Sequence, residues 1–385
     1  MSAPRLSLRA AALAAVLLLP APLLAQGGDI SGYAGVEARG VSWKPGVGIK
    51  SVNEVAVPFA VVWPASPRLS FDLGGRWASA TRTDSVGAKT TLSGLTDIQV
   101  RGIYQLVPDL AVLTVSANLP TGTTKISDQQ LLTAGAIASD LLPFPVANFG
   151  SGFNLTTGLA LAVPVQGWAL GVAGSYRLNG DYTPFSNTND CPSTGCSYKS
   201  GGEFRVRAGA DRIVGQGRLS FGFTFSTFGD DNFGNSPIFQ SGKRYIGQGS
   251  WAFPVGNASV QIYAWDLYRT AGTLFDTTGA PLATTQKRNV LAFGAAGSIQ
   301  VGRDVLRPQV EYRIHTLGDS TLSSGGRLLS LGLQYQWMLN DRFTLLPSAR
   351  FDVGSEYALD ANGNPTSQSA NLTGWSVALM LRAKM

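Results

Sequence analysis

The strongest constraint on the fold is a two-residue rhythm. From Asp29 onward the chain divides into sixteen segments of about ten residues in which alternate positions are apolar, with turn residues between them. A period of two places one set of side chains on each face of a strand. After the first 25 residues no window holds the unbroken apolar run of about 18 residues that a membrane helix needs. Lys, Arg, Asp and Glu make up only 14% of the chain, and glycine is abundant at 46 residues. So many two-faced strands in so weakly charged a chain imply lipid on one face and water on the other. A sheet in lipid must close on itself, because the bilayer offers no partner to a free strand edge. The expected fold is all-β: a transmembrane antiparallel up-and-down barrel of about 16 strands, or 14 if the first pair lies outside the wall.

The pattern is cleanest in the thirteenth segment. There Leu306, Pro308, Val310, Tyr312 and Ile314 alternate with Arg307, Gln309, Glu311, Arg313 and His315. Connections after even-numbered segments are short, as at Pro64 to Pro67, Val107 to Asp109, Gly302 to Asp304 and Asn340 to Asp341, and those after odd-numbered segments are long. Outer-membrane barrels have short periplasmic turns and long outer loops, so both termini are expected in the periplasm. Aromatic residues beside the short turns, Trp63, Trp168, Phe253, Trp337 and Phe343, suit an interfacial girdle. Asp266 falls in phase with apolar Val260, Ile262 and Ala264, which predicts the end of the membrane band or a bulge there.

Residues 1–25 read as an export signal, with Arg5 and Arg9 before an apolar core from Ala11 to Leu19 and a cleavage site after Ala25. Residues 26–385 are then one barrel. Removing the signal subtracts two arginines and takes the formal net charge from +6 to +4. Export also places Cys191 and Cys196 in an oxidising compartment, where a small disulfide-closed outer loop is expected and a metal site is not.

One stretch, Pro120 to Gly152, breaks the rhythm. Ser127 followed by Gln130 is a capping-box start for a helix that carries Asp128, with Leu131, Ala134, Ala138 and Leu141 at helical spacing and Pro143 and Pro145 as its stop. Phe144 then leads back toward strand pattern. The apolar side of this helix has two possible destinations, the barrel lumen or an outer cap on the loops. In the lumen Ser127, Asp128, Leu131, Leu141 and Phe144 would belong to a constriction, Asp128 and Asp140 would be available to inward arginines, and deleting Asp128 to Leu142 would raise conductance.

The inferred inward face is rich in paired charge. It carries Arg76, Arg101, Arg205, Arg207, Arg307, Arg313 and Arg350 with Asp72, Asp97, Asp211, Glu311 and Asp352. These residues either brace neighbouring strands as ion pairs or line a path that favours anionic solutes. Screening over about 8 Å at physiological salt would leave size more important than charge. His315 is the only histidine, and no Gly-Xaa-Ser-Xaa-Gly elbow is present, which disfavours an enzyme. Asp230-Asp231-Asn232 and Asp360 to Asn364 lack full calcium-loop spacing and read as turns.

The run Ser93-Gly94-Leu95-Thr96-Asp97-Ile98-Gln99-Val100-Arg101-Gly102-Ile103-Tyr104, followed by Ala117-Asn118-Leu119-Pro120-Thr121-Gly122, resembles outer-membrane proteins assigned to the meta-pathway of phenol degradation. The resemblance implies a barrel that transports aromatic or other apolar compounds and supplies no catalytic residues. The expected function is an outer-membrane channel or transporter for small solutes, not an enzyme. A lipase- or protease-like barrel and a structural or adhesive surface barrel are the alternatives. Expected partners are outer-membrane lipid, the barrel-assembly machinery and a small-molecule solute, with no nucleic acid, cofactor or metal, and with the oligomeric state left open.

Overall fold

A computed structural model describes residues 29–44, 48–187, 196–276, 278–318, 326–359 and 365–385. The export signal, Cys191 and the Asp360 to Asn364 turn lie outside the described residues.

The chain forms a closed antiparallel barrel of 16 strands. In order they are β1 (Ser31–Trp43), β2 (Ile49–Ser66), β3 (Leu69–Asp84), β4 (Lys89–Leu95 and Ile98–Val107, both paired to β3), β5 (Ala111–Leu119), β6 (Asn154–Val165), β7 (Trp168–Asn179) and β8 (Glu203–Val214). They continue as β9 (Gly217–Phe228), β10 (Arg244–Val255), β11 (Ala258–Arg269), β12 (Arg288–Val301), β13 (Asp304–Leu317), β14 (Gly326–Met338), β15 (Phe343–Leu359) and β16 (Pro365–Lys384). Each strand pairs with its chain neighbour, and β1 closes the wall against β16 from Ser31↔Lys384 to Trp43↔Leu372. The first pair is part of the wall, so the 14-strand alternative falls.

The alternation sets the two faces. Leu73, Val115, Leu161, Phe223, Phe293, Leu331 and Val377 stand exposed on the outside, as the apolar faces of their segments required. The connections after even-numbered strands, two to four residues each, lie at one end of the barrel, where Met385 N donates to Ile30 O and so joins the two ends of the described chain. One connection expected to be long is not: β3 and β4 are joined at the other end by a four-residue turn, closed by the bond from Gly87 N to Asp84 O at 3.2 Å. The turn between β6 and β7 has only Gln166 and Gly167 at its centre, with φ of 48° and 81°. Two left-handed residues match the twist of the flanking strands, and glycine takes the second at no steric cost.

Of the two readings of Asp266 the structure removes the bulge: β11 keeps register through it and ends three residues later at Arg269, and the Asp266 carboxylate takes a hydrogen bond from Asn289. One other local expectation is overturned. Asp230-Asp231-Asn232 is not a turn but part of the strand Asp230–Phe233 in a second, six-stranded sheet at the long-loop end. That sheet also contains Asp181–Tyr182, Tyr198–Lys199, Ser236–Gln240, Thr273–Phe275 and Pro281–Thr284. Short loop pieces acquire strand structure there because they pair with one another and pack aromatic rings, among them Tyr198 against Phe233 at 5.4 Å. Tyr198 donates to Asp231 Oδ2 at 2.7 Å. Burial first, then that bond, pushes its phenol pKa upward. Cys196 beside it is disulfide-bonded.

Ala38 and Val377 face each other across the closing seam. Antiparallel partners lie about 4.5–5.5 Å apart at Cα, within disulfide range. Ala38→Cys with Val377→Cys should therefore cross-link on oxidation and shift on a non-reducing gel. A wall closed by other strands would give no cross-link.

Candidate functional site

A barrel of this size is too wide to be filled by wall side chains alone. Here the segment between β5 and β6 folds inward. Its helix, α1 (Asp128–Ile137), begins with the capping box expected from Ser127 and Gln130. It ends earlier than Pro143 suggests, because Ser139 Oγ accepts from the amides of Leu141 at 3.2 Å and Leu142 at 3.1 Å and turns the chain first. Its buried face also differs. Thr133 and Ile137 are buried, whereas Ala138 and Asp128 are exposed and Leu131 is 50% exposed. The cause is Gln130, whose amide donates to Thr91 O at 3.0 Å. That bond turns the face of residues 130, 133, 134 and 137 toward the wall and leaves Leu131 about 100° away.

Ile137, at the end of the helix, is one apolar anchor, and the others come after it. Leu141, Leu142, Phe144, Val146 and Phe149 form one buried cluster with inward residues of an arc of wall: Leu328 of β14, Leu372 of β16, Val41 of β1, Val52 and Ala56 of β2, and Ala78 and Ala80 of β3. The alanines leave room for Phe144 and Phe149 beside the wall. Ala147 and Asn148, between the anchors, are exposed within the lumen.

Wall side chains hold this segment by its backbone. Glu54 Oε1 accepts from Val146 N at 2.8 Å, Arg313 donates to Leu141 O at 3.1 Å, and Arg76 donates to Pro145 O. Asp97 accepts from Gly122 N at 2.9 Å and Ser151 N at 2.7 Å, tying both ends of the insertion to the break in β4. Thr121 Oγ1 also donates to Thr96 O at 3.2 Å. The Gly94 to Asp97 and Pro120 to Gly122 pieces are thus the root of the in-folded segment. A Cβ on Gly94 would meet the Thr123 side chain, which accounts for the glycine.

Under the segment the inward charges join in one network. Arg39 pairs with Asp352 at 2.8 Å, Asp352 with Arg350 at 2.8 Å, Arg350 with Glu311 at 3.8 Å and Glu311 with Arg313 at 2.8 Å. Arg39 also lies over the Phe144 ring at 5.4 Å, and Arg313 over Trp265 at 5.3 Å. His315 is buried edge-on to Tyr357.

The opposite arc, from β4 to β8, faces open space. A cavity of about 480 Å³ there is lined by Arg101, Arg177, Arg205 and Arg207 against the single carboxylate Glu203, with Gln99, Thr114, Ser116, Asn118, Thr156 and Ser175 between them. Arg101 is 45% exposed while its Nε donates to Asp72 Oδ2 at 2.7 Å. Arg205 and Arg244 share Glu203, at 2.8 and 2.6 Å. Strand register then places Arg205, Ser226, Arg244, Arg269 and Arg288 in one transverse row. Asp140 of the in-folded segment reaches this row at Arg269, 3.7 Å away. Lower in the wall Arg307 donates to Gln336 at 3.0 Å, and Asp211 accepts from Ser220 and Arg218.

The sequence reading missed Arg39, Glu54, Arg177, Glu203, Arg244, Arg269 and Arg288. Arg39 and Glu54 lie on the inward phase of their segments, so alternation alone could have assigned them. Arg244, Arg269 and Arg288 are the terminal residues of β10, β11 and β12. Segments started at Tyr245, ended at Tyr268 or begun at Val290 cut each one off.

No family model matches the chain, and no curated protein matches it. Among solved structures it is similar to OccK5 (OpdH) of Pseudomonas aeruginosa, at 10% identity over 94% of this chain and 100% of that one, TM-score 0.45. It is also similar to an anion-selective porin from Comamonas acidovorans, at 13% identity over 92% and 98%, TM-score 0.41. A third similarity is to the CymD monoaromatic hydrocarbon channel, at 12% identity over 94% and 89%, TM-score 0.42. Overlap this loose carries no information about solute.

All the anchors but Ile137 lie after the helix, so the two halves of the insertion should separate by mutation. Replacing Asp140–Phe149 with a short Gly-Ser linker should raise single-channel conductance of the reconstituted barrel. Removing Asp128–Ile137 alone should change it little. Equal effects would mean that the helix narrows the lumen as much as the segment behind it.

Proposed function

We propose that this chain is an outer-membrane channel for small solutes, with both termini in the periplasm and a preference for anions. The observation that carries this reading is the divided lumen. One arc of wall is covered by the in-folded segment, and the facing arc presents guanidinium groups to open space. The apolar exterior, surrounded by lipid, and the placement of every connection after an even-numbered strand, each of two to four residues, at the end that holds both termini support the orientation. Delivery to the membrane is then the task of the barrel-assembly machinery.

The row of Arg205, Arg244, Arg269 and Arg288, with Ser226 between the first two, crosses five strands and is offset within the lumen by Glu203 and Asp140. Fixed charge of one sign in a low-dielectric channel concentrates counter-ions and so favours anions. Neutral aromatic compounds, implied by the resemblance of the β4–β5 hairpin, are the second reading. A lipase- or protease-like activity has little support, because His315 packs against a tyrosine ring in an arrangement suited to packing, not proton transfer.

In planar bilayers under a KCl gradient the reversal potential should favour chloride. Arg244→Gln with Arg269→Gln should bring it toward zero. The shift should be largest near 0.1 M salt, where screening acts over about 10 Å, and small at 1 M, where it acts over about 3 Å. A cation preference in the unaltered protein would overturn the anion reading.

A further inference from the structure

The open side of the lumen changes character along the barrel axis, and it does so at one level on four neighbouring strands. Toward the short-turn end, inward residues run Asn118, Ser116, Thr114, Val112 on β5 and Thr156, Gly158, Ala160, Ala162 on β6. On β7 they run Arg177, Ser175, Ala173, Gly171, and on β8 Arg205, Arg207, Gly209. Register aligns Val112 with Ala160, Ala160 with Ala173 and Ala173 with Arg207. Four strands thus pass from hydroxyl, amide and guanidinium groups to small apolar ones at the level of Arg207.

Two cavities meet at that level. The polar one, about 480 Å³, ends at Arg207, and a second of about 420 Å³ begins there, with Val112, Ala160, Ala162 and Ala173 as its apolar lining and Gln105 and Asp109 as polar groups on its β4 side and at the short turn. Both are in the size range of small-ligand pockets. Arg207 lines both, is exposed to the lumen and makes no ion pair among the described residues. An unpaired guanidinium at the edge of an apolar floor fits a ligand with a carboxylate at one end and hydrocarbon at the other. The carboxylate is held bidentately by the planar fork, and the hydrocarbon leaves water against valine and alanine.

Resting on the channel reading above, we propose that the lumen holds a saturable site for small apolar monocarboxylates. The carboxylate sits on Arg207, and a hydrocarbon body of several carbons lies on the floor of Val112, Ala160 and Ala173. A simple anion path would pass acetate and hexanoate alike. This site retains hexanoate.

The test is block of the KCl current through the reconstituted full chain by acetate, butyrate, hexanoate, succinate and 1-hexanol, with heat-modified gel mobility confirming each folded variant. Block should saturate and tighten from acetate to hexanoate by up to about fourfold per methylene. Succinate and 1-hexanol should block weakly, each lacking one half of the match. Arg207→Gln should weaken hexanoate block by about tenfold, the loss expected for one charge-assisted contact. Ala160→Asn with Ala173→Asn should abolish the dependence on chain length while leaving acetate unchanged. Equal block by acetate and hexanoate, or by 1-hexanol and hexanoate, would overturn the site and leave the channel standing. A folded barrel that passes no KCl current would instead overturn the channel reading itself.

Discussion

The whole molecule depends on a wall without edges. Lipid supplies no hydrogen bond to a free amide, so the sheet must pair its last strand with its first. The β1–β16 seam does this over the length of β1. Closing sixteen strands has a geometric consequence, because a ring of that circumference encloses more space than inward side chains can fill. The interior must then be occupied by water, by chain or by both. In this protein the 34 residues between β5 and β6 fill one side and leave the other open.

Filling a polar lumen with apolar chain requires a particular treatment of charge. Arg39, Asp352, Arg350, Glu311 and Arg313 lie beneath the in-folded segment, where several of them lose contact with water. Buried ions carry a desolvation penalty of several kcal/mol each, and only well-formed pairs offset it. Such a network adds little net stability. It does make a displaced segment costly, because water would have to re-enter between charges whose geometry suits only the packed arrangement. Arg313 illustrates the coupling, since it serves Glu311, the Leu141 carbonyl and the Trp265 ring together.

Much of the wall was legible in the sequence because its pattern is forced: period two, apolar outside, turn residues at intervals. Segment count and the inward phase of Arg101, Glu311 and Asp352 follow from that rule alone. The interior was less legible, since no local rule states which wall a folded-in segment will face. Leu131 looks like the better anchor by spacing and Ile137 is the one buried, and the difference lies in the reach of Gln130 to a carbonyl on β4. The transverse row of arginines escaped for a different reason. Its members are dozens of residues apart in the chain and become neighbours only through register, and Arg244, Arg269 and Arg288 lie at strand ends, where alternation is weakest.

The wall grips the in-folded segment through amides and carbonyls, and that choice separates path from aperture. Arg76 and Arg313 hold carbonyls that every residue type possesses, and Glu54 and Asp97 hold amides that every type but proline possesses, so the course of the segment is insensitive to most of its own side chains. Only the apolar anchors are committed to the wall. Ala147, exposed between them, is free to vary in size and charge without loosening the grip, whereas Asn148 Oδ1 accepts from Gly150 N at 3.2 Å and helps shape the turn. Descendants of this chain could therefore reshape the lumen by drift at such a position, on a scaffold that would not have to be reinvented.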